Sequence, residues 1–334
     1  MNKFFTLSIF LLTTHFNFCQ NLESKIDSIV SSNYNQNEPG ISILIAKDGK
    51  PIYKKAFGIA NMELDIPMKT DNVFQIGSIT KQFTAIAILS LEEQGKLKLT
   101  DDILKYIPDY PTEGNSITIH HLLSHTSGIQ NNTPVGEKGT VSKTDMTTKE
   151  LIDYFKNTPL GFKPGTNFRY SNAGYIVLGC IIEIVSKQSY EDFIETTIFK
   201  KIGMSSSYYG SNKEVIKNRV SGYQSEQNTF TNADYMSLTL PYAAGSILST
   251  VNDLLKWQNA LKSNALIKYS SLKKAISPTT LKNGKIIPYG YGFRMANLKG
   301  SPVIAHSGST KGFTSMAMFL PKENTFIVAL SNCN

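Results

Sequence analysis

A serine and a lysine three positions apart, Ser78-Ile79-Thr80-Lys81, stand where an extended run gives way to a helical one. On a helix, positions i and i+3 share a face, so the lysine ammonium can reach the serine hydroxyl. That pairing suits an activated nucleophile, with an amine that polarises a hydroxyl and shares its proton. Spacing alone does not single it out, because Ser270/Lys273 and Ser271/Lys274 repeat it. Those repeats lie in KYSSLKKAIS, a polar helix start without an apolar flank to bury a site, and read as surface decoration. Ser78 instead opens an apolar helical pattern from Thr80 to Gln94, closed by Gly95. In that first turn, unpaired backbone N–H groups and the positive dipole end favour a developing anion.

Two further stretches carry polar groups in a usable arrangement. FRYSNAGY places Tyr170, Ser171 and Asn172 on a loop before a helix, and no other Tyr-x-Asn occurs in the chain. Asn172 as a helix N-cap is the plain structural reading, and it does not exclude a role in a site. HSGSTKGF places His306, Ser307, Gly308 and Ser309 at the end of an alternating strand. Gly308 there lets a substrate or another backbone approach closely.

The elements that must hold these groups can be read from periodicity. NLESKIDSIVSSNY has apolar residues at helical spacing. GISILIAKDG and KPIYKKAFGIAN are extended, and Asp48-Gly49 between them is a hairpin turn signal. Helical patterns follow at 147–158, at 172–189 and at 249–261, the last capped near Asn252. Strand character returns in YGYGFRMA, SPVIAHSGS, TSMAMFLP and NTFIVALSN. Two strands at the front and about four at the back predict one antiparallel sheet built from both chain ends, with a mostly helical insertion between them. The expected organisation is a sheet lobe from 20–99 and 240–334 and a helical lobe from 100–239, with the active site in the cleft between them.

Composition limits the function classes. The 334 residues hold 41% hydrophobic and 18% charged residues, the balance of a globular protein. The net charge of +8 is scattered and accompanies no nucleic-acid motif, so it reads as solubility. The apolar run from Phe4 to Leu12 is too short to span a bilayer and fits a secretory signal of residues 1–19. Export to the periplasm or medium is therefore expected, with no membrane span in the mature chain. Lipid anchoring at Cys19 is disfavoured by bulky Phe16 and Phe18. Cys180 and Cys333 do not make a disulfide framework, and Cys180 reads as a buried small hydrophobe.

With the three polar stretches in this order, the chain resembles the serine β-lactamase and penicillin-binding superfamily, especially its class C, D,D-carboxypeptidase and esterase branches. LLSHTSGI at 122–129, PYAAGSILSTVNDLLKW at 241–257 and YGYGF at 289–293 strengthen the resemblance. It implies an α/β (α+β) fold in which an antiparallel sheet is flanked by helices. It also implies that Ser78 forms an acyl-enzyme while Lys81 polarises its hydroxyl, and that Tyr170 serves as general base and then acid. Asn172 would bind substrate and Lys81, the backbone N–H groups of Ser78 and Ser309 would form the oxyanion hole, and His306 would stand beside Tyr170. His306-Ser307-Gly308 replaces the Lys-Thr-Gly of class C β-lactamases, exchanging a fixed charge for an imidazole. This tilts the expectation toward a peptidase or esterase acting on a small-molecule, peptide or ester substrate. A β-lactamase or a non-catalytic penicillin-binding module is the alternative, and Arg294 is another source of positive charge. Relatives usually continue past the last strand into a helix that covers the sheet. This chain stops at Asn334, so either it is truncated or that role is filled otherwise.

Other chemistries lack their motifs. There is no G-x-S-x-G and no phosphate-binding G-x-x-x-x-G-K-[ST]. His121 and His125 have a spacing that can bind metal, but no third ligand is evident and a structural role in the LLSHTSG turn is favoured. No metal or cofactor is expected.

Overall fold

Apolar alternation at the two chain ends produces one six-stranded antiparallel sheet in the computed structural model, which describes residues 22–136, 139–227 and 229–334. The expected signal segment and Cys19 lie outside the described residues. A first helix, α1 (22–31), precedes strands β1 (Ile41–Lys47) and β2 (Lys50–Phe57). Asp48 (φ 52°) and Gly49 (φ 77°) join them with the left-handed pair that a two-residue hairpin needs. The remaining strands are β3 (Arg294–Leu298), β4 (Ser301–Thr310), β5 (Phe313–Leu320) and β6 (Thr325–Ser331). The order across the sheet is β3-β4-β5-β6-β1-β2, so the last strand pairs with the first, Ile43 opposite Ala329. Ile41 and Ile43 pack with Val30 of α1 and Tyr53, while Leu44 and Ala46 join the main core on the other face. Burial on both faces explains the nearly continuous apolar run of β1.

The helix that follows the serine motif, α2 (Thr80–Glu93), is buried almost all round, as expected of a helix running through a core. Short α3 (Ile119–Leu123) and α4 (Thr148–Phe155) come next, each with a reciprocal capping box, from Thr118/His121 and Thr147/Glu150. Helix α5 (Asn172–Ser186) packs against α2, and α6 (Val251–Lys262) brings Trp257 onto Phe83 with ring centroids 3.9 Å apart. Trp257 Nε1 also donates to Gln82 Oε1 at 3.1 Å, which satisfies an amide buried on α2.

Several details depart from the sequence expectations. The cap of α5 is Ser171, whose hydroxyl accepts from the Gly174 N–H; Asn172 is the first helical residue. Likewise Thr250, not Asn252, caps α6 by accepting from Asp253 N–H. YGYGFRMA becomes a strand only at Arg294. Its first half bends so that Tyr291 N–H bonds the Ala275 carbonyl and Tyr289 turns inward. The middle segment is not only helical, since Tyr208–Tyr209 pairs with Ile247–Ser249, which in turn pairs with Phe74–Gln75. Cys180 is only partly buried against the core.

Gly308 on β4 lies against the loop leading to Ser78, and a Cβ there would collide with the Ile76 carbonyl oxygen and the Ser315 hydroxyl. The close approach anticipated at this glycine is therefore made by backbone. Since backbone cannot move aside cheaply, Gly308→Ala should destabilise the fold by about 2–3 kcal/mol in chemical denaturation. A variant as stable as the parent would show that the strand and loop are not in rigid contact.

Candidate active site

Ser78 sits in a 3-10 turn, Gly77–Ile79, that runs directly into α2. Gly77 has φ +51°, and a Cβ on it would lie 2.7 Å from the Ser309 nitrogen. The turn thus requires glycine twice over, for its left-handed backbone and for contact with the edge of β4. That contact sets the Ser309 peptide beside Ser78. One residue into the helix pattern, Lys81 is completely buried. Its Nζ donates to Ser78 Oγ at 3.0 Å, Asn172 Oδ1 at 2.8 Å and the Ala244 carbonyl at 2.8 Å. Three ammonium donors meet three acceptors, none a carboxylate. Burial, and then the positive charge of Arg294, hold the Lys81 pKa well below the usual lysine value.

The neighbouring polar residues of α2 are equally committed. Thr80 Oγ1 accepts from Ile247 N–H, and Thr84 Oγ1 donates to the Ala243 carbonyl. Asn172 is held from behind, its backbone N–H donating to Asn131 Oδ1 at 2.6 Å. Both arms of the ammonium site are therefore braced by hydrogen bonds to segments distant in sequence.

Tyr170 closes the other side. Lys81 Nζ lies 4.8 Å from its ring centroid and the Arg294 guanidinium 5.6 Å. The Tyr170 hydroxyl is buried and makes no protein hydrogen bond of standard geometry, although it is near enough for the Ser78 hydroxyl to favour its ionisation. Burial outweighs both Ser78 and Arg294, and the phenol pKa rises above its ordinary value. Two nearby cations do not ionise this tyrosine, because the site that gathers them also excludes water, and the phenol keeps its proton.

The late motif divides into parts with different surroundings. His306 is buried, with its ring centroid 6.1 Å from that of Tyr170. Both its nitrogens are engaged by protein: Nε2 with the Tyr289 hydroxyl at 3.0 Å and Nδ1 with the Ser307 carbonyl at 2.6 Å. It offers no free nitrogen to a substrate in this arrangement. Burial, followed by Lys81 and Arg294, lowers its pKa to about 3, so the imidazole is neutral. The Ser307 side chain is exposed and does not line the cleft above Ser78. Ser309 does line it, together with Asn172 and Lys311 on the polar side and Val135, Met236 and Pro241 on the apolar side.

Two residues outside the site expected from sequence, Tyr289 without a role of its own and His125 as structural in its turn, stand directly behind Tyr170. His125 is buried in left-handed backbone (φ 57°), its ring 4.3 Å from that of Tyr170 and 4.8 Å from that of Tyr289. Their motifs, LLSHTSGI and YGYGF, were the available signal, but nothing local links positions 125, 289 and 306. His121 caps α3, so the two histidines spaced for a metal are each used in protein hydrogen bonds. Among the described residues no cluster suited to a metal ion occurs.

This sheet, with a lysine-bound serine between it and a helical layer, defines the β-lactamase and penicillin-binding superfamily. The chain belongs to the Beta-lactamase family, whose model matches residues 22–334. It is 32% identical to Penicillin-binding protein 4* of Bacillus subtilis (strain 168) over 87% of this chain and 67% of that protein. It is 30% identical to Protein flp of Staphylococcus aureus (strain MRSA252) over 93% of this chain and 63% of that one. It thus spans roughly two thirds of the length of these curated relatives. Among solved structures, the octameric penicillin-binding protein homologue from Pyrococcus abyssi superposes with a TM-score of 0.79 at 30% identity, covering 94% of this chain and 73% of that one. The D-amino acid amidase from Ochrobactrum anthropi SV3, complexed with L-phenylalanine amide, shares the fold at a TM-score of 0.82 and 23% identity, covering 95% and 91%.

The buried imidazoles have a measurable consequence. His125 and His306 have folded pKa values below the unfolded one, so below pH ~6.5 the unfolded chain binds protons that the fold refuses. The histidine contribution should therefore be full above that pH and fall as pH drops, by up to about 1.4 kcal/mol per pH unit for each imidazole, with His121, lowered to about 4, adding to it. Carboxylates held low, such as Asp101 at about 2, add acid lability from about pH 5 downward, leaving the window from ~6.5 to ~5 to the histidines. Denaturant titrations at several pH values should show this slope, and His306→Gln should reduce it. A flat profile across the window would contradict neutral burial.

Proposed function

We propose that this protein is a serine hydrolase working through an acyl-enzyme on Ser78, most like a D,D-carboxypeptidase-type peptidase or an esterase. The observation that carries this reading is the 3.0 Å hydrogen bond between Lys81 Nζ and Ser78 Oγ inside a site that depresses the lysine pKa. The lowered pKa makes the neutral amine of Lys81 accessible, and in that form its free lone pair can accept the Ser78 proton as the oxygen attacks a substrate carbonyl. The backbone N–H groups of Ser78 and Ser309, residues that line the same cleft, would serve as donors to the negative charge that develops there. Tyr170 stays protonated and lies across the site. It relays the proton from Lys81 to the departing nitrogen or oxygen as that bond breaks. In deacylation, water attacks the ester, its proton passes to the same pair, and the pair delivers that proton to the departing Ser78 oxygen. This assigns the base duty to Lys81 and makes Tyr170 the relay, the reverse of the emphasis that the family resemblance suggests.

Arg294 favours a second reading. Its guanidinium lies close to Tyr170 and Tyr289 and is permanently charged, so it can attract a substrate carboxylate although His306 is neutral. Turnover of β-lactams, which carry such a carboxylate, is therefore the alternative substrate class. A non-catalytic penicillin-binding module is disfavoured by the intact Ser78–Lys81–Asn172 contacts. We also infer export by a signal segment at residues 1–19, with the mature protein periplasmic or secreted. N-terminal sequencing of the protein recovered outside the cytoplasm would reveal removal of that segment, and an intact Met1 would argue against it.

Ser78→Ala should abolish hydrolysis of p-nitrophenyl esters and covalent labelling by a fluorophosphonate, with the fold retained. Lys81→Arg keeps the charge but cannot release a proton, and should lower kcat/KM by about 10³-fold. Labelling of Ser78→Ala at another serine would reject the assignment, as would an active Lys81→Arg enzyme. Ser270 is exposed as expected, whereas Ser271 is buried; both lie on a separate helix whose Lys274 is paired with Glu92 at 2.9 Å, and replacing either should leave labelling and turnover unchanged. Assay of esters, D-amino-acid amides, D-Ala-D-Ala peptides and nitrocefin on one preparation would separate the substrate classes.

A further inference from the structure

We propose that His125, Tyr289 and His306 form one directed hydrogen-bond chain that positions Tyr170 and the Ser309-bearing strand on either side of Ser78. The direction follows from the two ends, which are backbone groups with a single possible role. Ser171 N–H can only donate, so His125 Nδ1 accepts it at 3.1 Å and the ring proton must sit on Nε2. That Nε2–H donates to the Tyr289 hydroxyl oxygen at 3.1 Å. The Tyr289 O–H is then directed to His306 Nε2 at 3.0 Å, which obliges His306 to carry its proton on Nδ1. There the Ser307 carbonyl, which can only accept, receives it at 2.6 Å. Tyr175, beside these rings, spends its proton on the Leu123 carbonyl; its oxygen is a second acceptor near the Tyr289 O–H, so it is the Ser307 carbonyl that fixes the His306 tautomer and leaves Nε2 as an acceptor.

The chain grips catalytic geometry at both ends. The His125 carbonyl accepts from Arg169 N–H at 3.0 Å while its ring accepts from Ser171 N–H, so the residues on either side of Tyr170 are both tied to His125. The same ring packs on the Tyr170 ring. At the far end, the carbonyl held by His306 is two residues before Ser309, whose N–H is the proposed oxyanion donor. The strut also joins segments that are otherwise separate: 125 and 171 come from the middle of the chain, 289 and 306 from its last part. The charged groups bearing on the two imidazoles are Lys81 and Arg294, both positive, and among the described residues no carboxylate bears on them to favour protonation. An added proton would set donor against donor, at the Ser171 N–H for His125 and at the Tyr289 O–H for His306.

His125, Tyr289 and His306 are positioning residues, and their effect on catalysis rests on the Ser78 reading; the chain itself does not. Two-bond ¹H–¹⁵N correlation spectra of the ¹⁵N-histidine-labelled protein should show His125 as the Nε2–H tautomer and His306 as the Nδ1–H tautomer. Neither should titrate with a midpoint above about pH 6. The opposite tautomer at either position, or such a titration, would overturn the chain whether or not the protein is an active enzyme. Tyr289→Phe removes one oxygen, leaving His125 without an acceptor and His306 without a donor. It should shift the Tyr170 ring and Ser309 amide resonances, release the His306 tautomer, and lower kcat on a neutral ester about 10- to 100-fold with KM nearly unchanged. Unmoved Tyr170 and Ser309 resonances, or an unchanged kcat, would dismiss the positioning role. Failure of Ser78 in the native protein to label or turn over would instead reject the hydrolase reading alone.

Discussion

The rest of the site depends on a buried ammonium without a counter-ion. Lys81 has no carboxylate partner and is sustained by Ser78 Oγ, Asn172 Oδ1 and the Ala244 carbonyl. Removing water from an ionised group costs several kcal/mol, and each hydrogen bond to a charge returns about 1.5–3 kcal/mol, so the three acceptors must all be present. They come from a 3-10 turn, the start of α5 and the short helix Tyr242–Gly245, three segments with no local reason to meet. Their convergence is secured by α2, whose apolar sides pack against α5 and Trp257, leaving its polar first turn no exit to solvent.

Low hydration acts in opposite senses on the two proton carriers. It disfavours the charged lysine and the charged tyrosinate alike, lowering the Lys81 pKa and raising that of Tyr170. The nearby Arg294 adds to the first shift and opposes the second. The resulting site holds a base that is weaker than ordinary lysine and an acid that keeps its proton, an arrangement suited to taking a proton from one oxygen and delivering it elsewhere. His125 and His306 extend the same logic, since burial among positive groups keeps both imidazoles neutral and useful as directional hydrogen-bonding groups.

The sheet supplies the rigidity that such distances require. Because β6 pairs with β1, the strand carrying His306 and Ser309 is fixed two neighbours away from the first hairpin. Gly308 then lets β4 press against the loop before Ser78, so the nucleophile and the proposed oxyanion donor are set by one backbone contact. The strand Ile247–Ser249 bonds both to Phe74–Gln75, just before the serine motif, and to Tyr208–Tyr209 from the middle of the chain, so these segments are joined by hydrogen bonds as well as by packing.

The amino-acid sequence determined by itself whatever depends on spacing within an element. Ser78 and Lys81 meet because three residues on a helix return to one face, the Asp48-Gly49 hairpin follows from permitted backbone angles, and alternation marks the strands at both ends. Caps were legible only to within a residue or two: Ser171 and Asn172, or Thr250 and Asn252, are chemically interchangeable there, and the turn's exact entry point chooses between them. Tertiary structure alone decided that His306 spends both nitrogens on protein, that Gly308 accommodates the Ile76 carbonyl, and that His125 and Tyr289 stand behind Tyr170. It also set the proton affinities of Lys81 and Tyr170, since these depend on burial and neighbouring charge. Covalent geometry carries the first kind of information along a few residues, whereas dehydration and long-range contact exist only once the whole chain has packed.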